Sequence, residues 1–142
     1  MKSFLAILAI VTAFAACKKE RDHSSITALN GQWKMIKVME SPNGAAVTKP
    51  SPINGDVVLT ITLQTDMSGT ITGNTPSNTL SGGFTLFPAN GIRIPAVAAS
   101  KVAETFWGGL FMDNITTAQS YSTSCNELQI NTAQKTLFFQ KQ

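Results

Sequence analysis

Val57-Val-Leu-Thr-Ile-Thr-Leu-Gln64 places Val57, Leu59, Ile61 and Leu63 on one side and Thr60, Thr62 and Gln64 on the other. Side chains of a strand alternate between two faces, so this stretch reads as a strand with one face on a core and one toward water. The same reading extends in both directions. Upstream, Gly31-Gln-Trp-Lys-Met-Ile-Lys-Val-Met39 is a first strand that stops at the turn formers Ser41-Pro42-Asn43-Gly44. Pro50, Pro52 and Asn54-Gly55 then mark an irregular connection. Downstream, Asp66-Met67-Ser68-Gly69 turns the chain into a short return strand, Thr70-Ile71-Thr72. After the polar link "GNTPSN" (73–78), residues 79–87 form a strand with Phe84 and Leu86 on one face, and Asn90-Gly91 signals a hairpin leading to Ile92-Arg93-Ile94.

The period changes after Ser100. Between 101 and 115, Val102, Phe106 and Leu110 alternate with Ala103, Trp107, Phe111 and Ile115 at spacings that share one helical face, with Ser100 as the N-cap. Gly108-Gly109 weakens this helix by about 1 kcal/mol per glycine relative to alanine. Phe106, Trp107 and Phe111 read as core side chains rather than a ligand stack. Strands return at 121–125, 128–131 and 135–140. The fold class is therefore mainly β (α+β): an antiparallel sheet or partly closed barrel, with one helix packed on the sheet or across one end. The 142 residues suit one domain, with its body at 29–142.

The N-terminus carries an address. Met1-Lys2-Ser3 is basic, residues 4–14 ("FLAILAIVTAF") are apolar apart from Thr12, and Ala15-Ala16-Cys17 follows. This is the pattern of a secretory signal, and the run is too short to span a bilayer as a helix. Ala15-Ala16-Cys17 resembles the lipobox of bacterial lipoproteins, with Phe14 where leucine is usual. The resemblance implies that residues 1–16 are removed. It also implies that the Cys17 thiol receives a diacylglyceryl group and that its amine is acylated (palmitate). Residues 17–28, "CKKERDHSSITA", then form a polar tether. The implied location is the bacterial cell envelope, anchored by lipid in the outer membrane, with the body in the periplasm or at the surface. Loss of Lys2 with the signal lowers the net charge from +3 to +2, and Lys18, Lys19 and Arg21 lie in the tether. The body is near neutral and has no basic stripe, which argues against nucleic-acid binding. With Cys17 taken by lipid, Cys125 is expected to be a small buried hydrophobe.

The order of these features also resembles the META domain, the family that includes the heat-shock protein HslJ. The matching pieces are "GQWKMIKV" (31–38), "LTITLQTDMSGTITGNTPSNTLSGGFTL" (59–86) and "YSTSCNELQINTAQKTLFF" (121–139). Members often carry a cysteine beside the loop asparagine and another before the helix. Here those places read Gly73-Asn74-Thr75 and Ser100-Lys101-Val102. The resemblance implies a link to envelope stress and secretion, and no particular reaction. Gly31-Gln32-Trp33 separately resembles the Gly-x-Trp that opens lipocalin strands, which implies an alternative role as carrier of a small apolar ligand.

The residue inventory limits the chemistry. The one histidine, His23, lies in the tether, so no imidazole of the body can activate a nucleophile. Zinc is disfavoured for the same reason, and no phosphate loop or dinucleotide motif is present. Six body carboxylates, Glu40, Asp56, Asp66, Glu104, Asp113 and Glu127, are the remaining candidates for a hydrolase. Four of them read as turn, helix-start or hairpin residues. The expectation is a protein without enzymatic activity, cofactor or metal, with a binding or stress-protective role. Its candidate partners are an envelope protein or glycan, contacted through the loop residues Asn74, Thr75 and Asn78. That loop is read chiefly as a structural turn.

Overall fold

The computed structural model describes residues 26–142. The signal, Cys17 and most of the tether lie outside the described residues. A 3-10 turn, Ile26–Leu29, leads into β1 (Gly31–Glu40), β2 (Ala46–Thr48), β3 (Val58–Leu63), β4 (Ser68–Asn74), β5 (Thr79–Phe87), β6 (Gly91–Arg93) and β7 (Val97–Ala99). Then come α1 (Phe106–Ile115), β8 (Ala118–Ser124), β9 (Glu127–Thr132) and β10 (Lys135–Lys141). The strands run in the order β10-β9-β8-β6-β5-β4-β3-β1, and β1 pairs back onto β10 from Trp33↔Lys141 to Glu40↔Lys135. The result is a closed antiparallel barrel of eight strands. The short β2 continues beside β1 where β3 ends, and β7 continues beside β5 where β6 ends.

The alternation read from the sequence is what turns side chains inward. Leu59 and Ile61 on β3, Ile71 on β4, Leu80, Phe84 and Leu86 on β5, Leu128 and Ile130 on β9, and Leu137 and Phe139 on β10 are all buried. In β1 the inward set switches from Trp33 and Met35 to Val38, because the register slips between Met35 and Lys37. A second slip, between Ala118 and Ser120, lets Ala118 and Tyr121 both face the core. Each is a bulge, which adds one residue to one strand and increases the local coiling that closure requires. Gly69 is also buried and pairs with Phe84, whose ring occupies the space that a side chain at 69 would fill.

Two expectations about the helix need correction. It starts at Phe106, capped by the Thr105 hydroxyl, which accepts from the Gly108 N–H at 3.2 Å. Ser100 is not the cap, and residues 100–105 form a connection. The buried face is Trp107, Phe111 and Ile115, whereas Phe106 is 60% exposed and Val102 is 59% exposed. The steps of four from Trp107 lie inside, while Val102 precedes the helix and Phe106, its first residue, lies on the outer side. Phe111 meets Phe139 edge to face at 6.5 Å. The chain leaves β7 and enters β8 at the same end of the barrel, so α1 lies across that end. β2 and β7 were not anticipated. Pro50, Pro52 and Pro95 hid them among turn signals.

Trp107→Ala and Phe111→Ala should each lower stability by about 3–5 kcal/mol in urea denaturation, through a cavity that the barrel wall cannot collapse to fill. Trp107→Phe should cost much less, because it also removes a buried indole N–H that has no acceptor among the described residues. Phe106→Ala should change stability by less than about 0.5 kcal/mol.

Candidate functional site

The "GNTPSN" loop joins β4 to β5 at the end that α1 covers. Gly73 opens it because any side chain there would strike the Val58 carbonyl. The loop then closes on itself. Thr75 N–H donates to Asn78 O at 2.8 Å, and Asn78 N–H donates to Thr75 Oγ1 at 2.9 Å. Of the three residues singled out in the sequence, only Asn74 is exposed, and its amide donates to Asp56 O at 3.1 Å. Thr75 and Asn78 are buried, at 3% and 6% exposure. They face inward along the protein surface rather than outward to solvent.

Their partner is Glu104. Thr75 Oγ1 and Asn78 Nδ2 both donate to Glu104 Oε2, the latter at 2.8 Å. Thr105 N–H donates to Oε1 at 2.9 Å. Asn78 uses every remaining valence on the connection before the helix. Its Nδ2 donates to Val102 O at 3.0 Å, and its Oδ1 accepts from Val102 N–H at 3.0 Å and Ser100 Oγ at 3.1 Å. Both amide donors and both acceptor lone pairs are therefore matched. Gly108 belongs to the same arrangement, since a side chain at 108 would run into the Glu104 carboxylate.

Burial acts to raise the Glu104 pKa. The hydrogen bonds from Thr75, Asn78, Thr105 and Ser77 outweigh it, and the carboxyl is held below its ordinary 4.5. A carboxylate stabilised in its charged form is a weak general base, and its oxygens are already accepting. The arrangement is suited to pinning the start of α1 to the β4–β5 loop. Sequence reasoning placed Glu104 in the first helical turn and missed this role. The signal was a glycine four residues on, at the position a helix would lay over that carboxylate.

Most other carboxylates have local partners. Asp56 lies 2.8 Å from Lys34 Nζ and 2.7 Å from Lys49 Nζ, and its hydrogen bonds with them hold its pKa below 3.8. Asp66 Oδ1 accepts from the Ser68 hydroxyl at 2.6 Å, Glu40 pairs with Lys135 at 3.0 Å, and Glu127 accepts from Gln129 at 2.6 Å. Cys125 departs from expectation. It is exposed in the turn between β8 and β9 rather than buried.

No family model matches the chain, and no curated protein matches it. Two solved structures share the fold. One is an NMR structure of a protein from Burkholderia xenovorans, at TM-score 0.63 and 15% identity, covering 100% of this chain and 99% of that one. The other is a crystal structure of a DUF4847-family protein from Bacteroides vulgatus, at TM-score 0.55 and 18% identity, covering 80% of this chain and 95% of that one. At these identities the likeness is one of fold.

Asn78→Ala should cost well over the about 1 kcal/mol of a single hydrogen bond, because it strands partners on three sides. Glu104→Gln should flatten the acid limb of stability. The folded pKa of Glu104 is depressed, so its contribution is present above pH 4.5 and is lost as pH falls through the lower folded value. Urea midpoints measured from pH 7 down to pH 3 should fall more steeply for wild type than for Glu104→Gln.

Proposed function

We propose that this chain is a lipid-anchored envelope protein, META-like in type, whose barrel serves a non-enzymatic binding or stress-protective role. The observation that carries the binding reading is the filled interior. Trp33, Trp107, Phe111 and Phe139 are fully buried within the one core cluster, so the barrel wall encloses side chains. That counts against the alternative of a lipocalin-like carrier, which needs an apolar chamber of about 300 Å³ or more. It leaves the outer surface and the two ends as the places where a partner, protein or glycan, would be met. Asn74 is the one member of the expected contact set that the loop leaves exposed. The anchor reading rests on the sequence around Cys17.

Mass spectrometry of the mature N-terminus from the membrane fraction tests the anchor. The proposal predicts a chain that begins at an acylated, diacylglyceryl-bearing Cys17, and a Cys17→Ala protein that is not processed at that site. The chain has two cysteines, and a thioether at Cys17 excludes a disulfide through the same sulfur. A Cys17–Cys125 peptide recovered from mature protein without reduction would contradict the proposal.

A further inference from the structure

The end of the barrel opposite α1 is where the described chain begins. Ile26 lies there beside the β3–β4 turn and the β5–β6 turn, which are joined by the Leu86 N–H donating to Met67 O at 2.7 Å. Ile26, Met67 and Phe87 are all exposed, Phe87 at 46%. They rim two adjoining grooves of about 290 and 350 Å³ that share Ile26 and Met67, and among the described residues no charged side chain lines either groove. Met67 has φ +62°, a left-handed turn position that usually holds glycine, asparagine or aspartate. A long apolar side chain there is costly to the backbone and places a thioether at the tip of the turn. Asp66, next to it, is turned back onto Ser68.

We infer that this end, through Ile26, Met67 and Phe87, is a lipid-facing surface that lies against the membrane holding the anchor. The inference rests on the lipid-anchor reading of Cys17. Exposure alone does not choose this end, since Val102 and Phe106 are exposed at the other. The tether does. Eight residues, 18–25, separate Cys17 from Ile26. Fully extended they reach about 28 Å. The barrel wall, taken from the seven residues of β4, is about 23 Å tall before tilt. Bringing the α1 end to the bilayer would use nearly the whole tether to pass the barrel's height, whereas the Ile26 end reaches it with chain to spare.

The test uses the full-length lipidated protein in vesicles of phosphatidylethanolamine and phosphatidylglycerol, with and without acyl-chain bromination. Phe87→Trp places a reporter in the patch, Val102→Trp places one at the opposite end, and the buried Trp33 and Trp107 supply a common background. Brominated lipid should at least halve the fluorescence added at position 87 and leave that at 102 unchanged. Protein that floats with vesicles but shows no quenching at 87, or equal quenching at both positions, overturns the inference while sparing the anchor. A blue-shifted but unquenched reporter at 87 assigns the patch to a second copy of the chain and also overturns it. Protein that fails to float removes the anchor reading and this inference together.

Discussion

Pairing of the first long strand with the last fixes everything else in this molecule. β1 and β10 lie at opposite ends of the described chain, and their antiparallel ladder joins the two ends of the eight-strand order into a closed barrel. The ladder is non-local, so chain entropy must be spent before any of its bonds form. The return comes from the interior. Trp33 enters from β1 and Phe139 from β10, and their burial is possible only when both strands are in place. The bulge between Met35 and Lys37 sits within this seam and keeps both halves of β1 turned inward as the wall curves.

Closure creates an interior that must be filled and ends that must be covered. Small side chains alternate with large ones across the wall, as Gly69 does with Phe84. The helix supplies the remaining volume from one end through Trp107, Phe111 and Ile115. A ten-residue helix with two adjacent glycines would not hold its place through propensity. Its start is instead fixed by Glu104 and Asn78, which tie the connection before it to the β4–β5 loop. A charged group is satisfied there by neutral donors, in a position where burial would otherwise push it toward its neutral form. The surface proposed for contacts is then what the core does not use: the exposed tip of the loop at Asn74, the outer wall, and the apolar rim around Ile26.

Much of the wall was legible because strand alternation is local. The inward residues of β3, the span of β5, the hairpin at Asn90-Gly91 and the presence of one helix all followed from period and turn chemistry. The helix start was misread because Val102 and Ala103 continue the apolar spacing by chance, while the real cap, Thr105, is decided by where Glu104 is held. β2 and β7 escaped because three-residue strands beside prolines carry no period of their own. The loop residues were read correctly as turn formers, but the burial of Thr75 and Asn78 depends on residues more than twenty positions away. Nothing in the loop's own composition reveals a carboxylate from the connection before the helix. Cys125 was misplaced for a similar reason, since exposure at a hairpin tip is set by the register of β8 on β9.

The closed barrel is the claim on which the filled interior, the capped end and the assignment of surfaces all rest. Amide hydrogen exchange of the native protein, resolved by residue, tests it most directly. The ladder bonds between β1 and β10 should be protected to the same degree as those between β3 and β4, because in a closed wall neither pair is an edge. Rapid exchange along 37–40 and 135–138, with the β3–β4 hairpin still protected, would mean that the sheet is open at this seam and would contradict the account.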